Sequence, residues 1–262
     1  MESGKTRRLR RIVKSDSKTF IIAMDHGVTL GPVAGLEDMQ QTVNSVVKGG
    51  ADAVLFHKGI AKYVNTGTAG LIIHVSASTK LGSNPNLKVG VCTVDEAIRL
   101  GADAVSAHIN IGTSDEDKML ELLGGLSQEC DSFGIPLLAM MYPRGPNIKN
   151  EHEFEVVSHA ARIGAELGAD IVKTVYTGDP DTFRKVVRSC PVPVVVAGGP
   201  KMNTDANVLE LARTSIDAGA SGLSFGRNVF QHASPERMSH ALASIVHDGS
   251  TAQDALRLLG SS

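Results

Sequence analysis

The chain has 262 residues, 42% of them hydrophobic, and 26 Lys and Arg stand against 28 Asp and Glu for a formal net charge of -2. That is an ordinary globular mixture with ample apolar material for a core, and its charge excludes a general nucleic-acid binder, which would be basic. No apolar run approaches membrane-spanning length, and three cysteines without CxxC spacing exclude a disulfide framework or a zinc knuckle, so a soluble, cytoplasmic protein is expected.

The chain opens on a basic run, Lys5-Thr6-Arg7-Arg8-Leu9-Arg10-Arg11, within a segment at about 1–18. This reads as a solvated helix or a salt-bridging arm rather than as a nucleic-acid or membrane patch. A phrase then recurs: Gly50-Ala51-Asp52-Ala53-Val54, Gly101-Ala102-Asp103-Ala104-Val105, Gly168-Ala169-Asp170-Ile171-Val172 and, loosely, Gly219-Ala220-Ser221-Gly222-Leu223. Each copy follows helical spacing and leads into a short apolar run, as when a glycine ends a helix and a buried strand begins at once.

Taken in order, the apolar runs are Phe20–Met24, Ala53–His57, Leu71–Val75, Ala104–Ile109, Pro136–Met141, Asp170–Val175, Pro193–Ala197 and Gly222–Phe225. Most intervals hold one amphipathic helix, and the one between the second and third runs is too short for a full helix. Eight strand–helix units predict an α/β fold, a closed (β/α)8 barrel, with a doubly wound open sheet as the competitor. Nothing linker-like divides the chain, so 1–262 is read as one domain.

Barrels of this kind place their chemistry at the C-terminal ends of the strands. There the sequence puts Asp25-His26-Gly27, His57-Lys58, His74, His108 and Asn110, Tyr142-Pro143-Arg144, Lys173, Gly198-Gly199 and Gly226-Arg227. Lys173 stands inside an apolar strand and shares its face with Ile171 and Val175. Pointed into the barrel, its ammonium would be costly, its pKa would fall and its amine would be a nucleophile for Schiff-base chemistry. Pointed outward, it would snorkel toward a carboxylate. Asp25 could move protons or cap a helix. Tyr142 could be an acid or base or a core-edge tyrosine. Gly198-Gly199 and Gly226-Arg227 follow the seventh and eighth strands, where many barrels bind phosphate; Lys201 and Arg144 could add charge at the rim. His57, His74 and His108 could converge on a metal, but no HxH or HExxH spacing supports one, and no metal is expected.

Those residues also carry a resemblance. Met24-Asp25-His26-Gly27-Val28, Leu71-Ile72-Ile73-His74, Ala139-Met140-Met141-Tyr142-Pro143-Arg144-Gly145, Gly168-Ala169-Asp170-Ile171-Val172-Lys173-Thr174, Val196-Ala197-Gly198-Gly199-Pro200-Lys201 and the run from Gly226 to His232 resemble the archaeal-type class I aldolase family. The likeness runs from about Phe20 to Ala255 and is greatest to the family's 2-amino-3,7-dideoxy-D-threo-hept-6-ulosonate synthase branch.

The resemblance implies a Schiff-base lysine at Lys173, a proton donor at Tyr142 and an acid–base aspartate at Asp25. It places ligand contacts at His26, Gly27, Val28, Thr29, Pro143, Arg144, Gly198, Gly199, Gly226 and Arg227. It further implies a transaldolase-type transfer of three carbons from 6-deoxy-5-ketofructose 1-phosphate to L-aspartate semialdehyde, on a route to 3-dehydroquinate and aromatic amino acids. No cofactor beyond the lysine imine and no metal are expected, nor a nucleic-acid or membrane partner, and the resemblance implies a ring-shaped homo-oligomer, possibly a decamer. A class I fructose-1,6-bisphosphate aldolase is the near alternative. A non-catalytic phosphosugar-binding barrel is the distant one, and it predicts a broken catalytic set.

Overall fold

A computed structural model describes residues 3–260, so the outermost ends of the expected 1–262 unit and of its basic segment lie outside the described residues. Helix α1 (Gly4–Ile12) precedes β1 (Thr19–Ala23), α2 (His26–Leu30), α3 (Met39–Lys48), β2 (Ala53–His57), α4 (Lys58–Ala61) and β3 (Gly70–His74). A small hairpin, β4 (Ser76–Ala77) and β5 (Val89–Gly90), leads to α5 (Val94–Arg99), β6 (Ala104–Ile111), α6 (Glu116–Phe133) and β7 (Leu137–Pro143). Then come α7 (Phe154–Glu166), β8 (Ile171–Thr174), α8 (Pro180–Ser189), β9 (Val194–Ala197), α9 (Asp205–Asp217), β10 (Gly222–Phe225) and α10 (Arg227–Phe230). Helix α11 (Pro235–Ala243), a π-helical turn at Ser244–Asp248 and α12 (Ala252–Gly260) complete the fold.

Eight of these strands close on themselves in the order β1-β10-β9-β8-β7-β6-β3-β2, all parallel. This is the expected (β/α)8 barrel, and the competing open sheet is excluded by the β1–β10 pairing. The repeated phrase does what its glycine suggested: Gly50, Gly101, Gly168 and Gly219 all take φ between +86° and +99°, the left-handed turn that stops a helix before a strand. Between β2 and β3 only the single turn of α4 fits.

The barrel has two apolar layers. Phe20, Ile22, Val54, Phe56, Ile73, Val105, Val172, Val194, Val196 and Phe225 point outward and pack under the helices. Residues of the opposite parity, Ile21, Ala53, Leu55, Ile72, Ala104, Leu138, Met140, Ile171 and Val195, fill the interior, each no more than 2% exposed. Strand alternation alone produces this sorting.

Helix α1 closes the floor. Ile12 is fully buried with the interior set, and Leu9 and Val13 pack beside it. Its basic face, with Lys14 just beyond its end, meets the aspartates of the repeated phrase. Lys14 pairs with Asp52 at 3.4 Å, Arg11 with Asp103 at 2.9 Å and Lys5 with Asp170 at 2.9 Å. Each of those aspartates also accepts a backbone N–H from the first or second residue of a neighbouring strand: Phe20 to Asp52 (2.7 Å), Leu71 to Asp103 (3.0 Å) and Leu137 to Asp170 (2.8 Å). In the fourth copy Ser221 replaces aspartate, and its backbone carbonyl takes the N–H of Thr19 at 3.0 Å. The basic run is therefore a salt-bridging helix.

Candidate active site at the barrel mouth

Along the inward parity the barrel changes character halfway up. Above Leu55, Ile72, Ala104, Met140 and Ile171 the next inward positions are His57, His74, Ser106, Tyr142 and Lys173. Polar side chains are tolerated there because the strands end within a residue or two and substrate or solvent replaces protein above them. Strand β6 carries the pattern furthest, adding His108 and Asn110 before it ends at Ile111.

Lys173 lies in register with Met140 of β7 and Val195 of β9, both interior residues. It faces into the barrel, and the outward, snorkelling alternative is ruled out. It is 5% exposed, and among the described residues no carboxylate lies within ion-pair contact of its amine. Burial pulls its pKa down to about 8, and the more distant Asp25 carboxylate only partly restores the charged form.

Asp25 occupies the position before α2 but makes no capping bond with its side chain, so it is not spent on the helix. Burial would raise its pKa, yet His74, His26, Lys173 and His57 outweigh burial and hold the carboxyl well below the usual range. Its oxygens lie 3.8 Å from His74 Nε2 and 3.9 Å from His26 Nδ1. His74 is itself lowered to about 4 by burial, and its Nδ1 meets Ser106 Oγ at 2.8 Å, so it is neutral at neutral pH.

Tyr142 stands one inward step above Met140, which pairs with Lys173. Burial raises its phenol further above the usual value, with Asp25 adding to the effect, and the group stays protonated. The His108 ring meets Tyr142 edge-on at 4.8 Å, and the Arg144 guanidinium lies 5.5 Å from the Tyr142 ring centre.

The turns after β9 and β10 form a third group. A Cβ on Gly226 would lie 2.7 Å from the carbonyl oxygen of Ala23 and from the His26 ring, and one on Gly198 would lie 2.8 Å from the Phe225 ring. These turns press against their neighbours where no side chain fits. Arg227 spans them, donating to the Gly199 carbonyl at 3.2 Å, while its buried Nε has no partner among the described residues. Asn228, 3% exposed, ties the two turns together: its amide donates to the carbonyls of Gly198 (2.7 Å) and Pro200 (3.1 Å) and accepts from the Met202 N–H (2.8 Å).

Of the remaining sequence-selected positions, His26 packs its ring against Phe230 at 5.3 Å, and its Nδ1 is buried without a hydrogen bond. Gly27 and Val28 are exposed on α2, and the Thr29 hydroxyl donates to the Ser78 carbonyl at 3.1 Å. Pro143 is buried with the outward parity of β7, away from the mouth. Lys201 is exposed and bonds the Gln231 carbonyl. The histidines at the rim are engaged separately: the His57 and His74 rings meet edge-on at 5.1 Å, and His108 Nε2 bonds Asn110 Oδ1 at 2.8 Å. Among the described residues no group of three or more His, Cys, Asp or Glu is placed to hold a metal ion.

Sequence reasoning passed over Asn228 and Lys88. Asn228 gave only its place next to Arg227 as a signal. Lys88 lies in an irregular loop, where no periodicity marks a side chain as buried.

Comparison with known proteins agrees with the barrel fold. The model of the DeoC/LacD family aldolases matches residues 19–232. A 2-amino-3,7-dideoxy-D-threo-hept-6-ulosonate synthase of Halobacterium salinarum is 44% identical over 99% of this chain and 97% of its own. Another synthase of that name, from Archaeoglobus fulgidus, is 46% identical over 98% and 96%. Among solved structures, an archaeal fructose-1,6-bisphosphate aldolase with its catalytic lysine bound to a carbinolamine intermediate superposes with a TM-score of 0.86. It is 37% identical, covering 92% of this chain and 98% of that one.

Proposed function

Given that the chain belongs to the DeoC/LacD aldolase family and is a Schiff-base, class I enzyme, we propose that it transfers a three-carbon ketone unit from 6-deoxy-5-ketofructose 1-phosphate to L-aspartate semialdehyde. The product is 2-amino-3,7-dideoxy-D-threo-hept-6-ulosonate, on an alternative route to 3-dehydroquinate and the aromatic amino acids. The observation that carries the reading is Lys173: inward-facing, buried and lowered to about 8, it offers a ketone far more uncharged amine at neutral pH than an exposed lysine would.

In this mechanism Lys173 adds to the ketone, water leaves, and a protonated imine forms. The C–C bond beside it breaks, its electrons pass into the imine as an enamine, and hydroxypyruvaldehyde phosphate departs. The enamine carbon then attacks the aldehyde of aspartate semialdehyde, and water releases the product from Lys173. The electron sink is a covalent nitrogen cation, so the steps need no divalent ion, and EDTA is expected to leave the activity intact. Asp25, held ionised, accepts protons; Tyr142, held protonated, donates them at the bond being made or broken. Gly198, Gly199, Gly226 and Arg227 cradle the ketose phosphate with backbone N–H groups and a guanidinium, and His26, Gly27, Val28, Thr29 and Arg144 line the approach. We place the enzyme in the cytoplasm as a ring-shaped homo-oligomer.

Borohydride reduction in the presence of a ketose phosphate tests the core of this reading. The adduct is expected on Lys173 and is absent in Lys173→Ala; an adduct on Lys58 or Lys201 would mean that another amine does the chemistry. Profiling then separates the substrates. Rapid cleavage of fructose 1,6-bisphosphate with no use of aspartate semialdehyde would replace the synthase by a fructose-bisphosphate aldolase.

A further inference from the structure

Lys173 on β8 lies between two cationic rims. On one side are the glycine turns and Arg227 after β9 and β10. On the other, past β7, stand Arg144 over Tyr142 and a second buried lysine, Lys88, which the mechanism above does not use.

Lys88 is 7% exposed and sits at the base of the β4–β5 hairpin. That hairpin leaves the mouth end of β3, and its loop is fastened over β6: the buried Asn110 amide donates to the Asn86 carbonyl at 2.7 Å. The other end of the Asn110 side chain meets His108, whose ring lies against Tyr142. Lys88 is thus held on the Tyr142 side of the mouth by a chain of contacts that starts two residues before it.

Its ammonium donates to the Ser78 hydroxyl and to the Pro85 carbonyl at 3.1 Å, two neutral oxygens. An ammonium has three N–H donors, so one remains, and among the described residues no carboxylate is in contact with it. Burial lowers its pKa and Arg144 lowers it further, with the more distant Asp25 offsetting part of this, while burial and, after it, the Lys88 charge depress His74 and His108. A buried cation facing a guanidinium and neutral imidazoles is costly unless an anion joins them.

We propose that Lys88 and Arg144 form the acceptor subsite and bind the carboxylate of the incoming aldehyde. This rests on the reading of the acceptor as an amino-acid aldehyde. The charge count favours a carboxylate over a phosphate: Glu151 lies 3.3 Å from Arg144, so the group carries one net positive charge.

The test compares Lys88→Met and Lys88→Arg with the wild type, using L-aspartate semialdehyde and butanal, a neutral aldehyde of equal length, as acceptors. Lys88→Met is expected to raise KM for aspartate semialdehyde about tenfold to a hundredfold, with little change for butanal, and Lys88→Arg to recover most of the loss. Borohydride trapping with the ketose phosphate checks that the variant is folded and its donor half assembled. Equal losses on both aldehydes, or no loss on either, would overturn the subsite. Failure of the broader reading looks different. If the wild type ignores aspartate semialdehyde and Lys88→Met instead raises KM for glyceraldehyde 3-phosphate but not for glyceraldehyde, the rim binds phosphate and the carboxylate assignment is wrong.

Discussion

Lys5 at the floor of the barrel and Lys173 at its mouth are the same residue type with opposite fates. Burial presses both toward neutrality. At Lys5 the hydrogen bonds to Asp131 and Asp170 outweigh burial and raise the pKa, whereas at Lys173 no carboxylate touches the amine and the pKa falls to about 8. A contacting partner, not depth, decides whether a lysine is a strut or a nucleophile. The two mouths follow this rule throughout: the floor aspartates meet both a basic side chain and a strand N–H, while the rim cations Lys173 and Lys88 stand without a touching carboxylate among the described residues.

If the mouth is the seat of chemistry, Lys173→Ala should lower turnover by at least about 10³-fold while leaving the unfolding midpoint close to that of the wild type. A large loss of stability with residual turnover would erase the distinction. The converse experiment is at the floor. Asp52→Ala strips the acceptor from the Phe20 N–H and the partner from Lys14 and His247, and should cost about 3 kcal/mol in denaturant unfolding. Borohydride trapping on Lys173 should persist in the folded fraction.

The contrast sharpens with pH. The amine of Lys173 reacts only when deprotonated, so kcat/KM should fall about tenfold per unit as pH drops below about 8 and level off above it. A profile flat from pH 6 to 9 would place a charge beside Lys173 that the structure lacks. Smaller still is the effect of Asn228→Ala, which loosens the two glycine turns and should raise KM for the ketose phosphate about tenfold, with kcat changed less.

The weakest expected effect is at the floor again. The hydrogen bond to Asp52 does most to raise the His247 pKa, burial opposes it, and Asp16 adds to the rise. A raised value means that stability is fully present below the ordinary histidine pKa near 6.5 and is lost as pH climbs through the folded value. Thermal unfolding should therefore move to lower temperature from about pH 6.5 upward, by on the order of 1 kcal/mol, and His247→Gln should remove that slope.

Most of the architecture was legible because alternation and helix-stopping glycines act locally. The eight apolar runs coincide with the barrel strands to within one or two residues, and two of them, Ala53–His57 and Gly222–Phe225, match at both ends. Strands β6 and β7 run further, to Ile111 and Pro143, because Asn110 and Tyr142 keep the inward parity even though they are polar, and an apolar count stops short of them. The β4–β5 hairpin has two residues per strand, too few to show a period. Spacing put Lys173 on the face of Ile171 but left open whether that face turns inward, which the closed barrel decides. The partners of Asp52, Asp103 and Asp170 did not, because each pairs with a residue far back in the chain. The repeated phrase was read for its glycine, while its aspartate, set opposite the basic residues of α1, was the stronger clue to the floor.

The plug formed by α1 also sets an order of assembly. Lys5 is made near the start of the chain, yet the Asp170 oxygen it binds lies 165 residues downstream. Contacts of such long range close slowly. During synthesis this helix must wait beside an incomplete sheet until β8 has emerged, so a segment translated before the barrel strands is among the last to be seated.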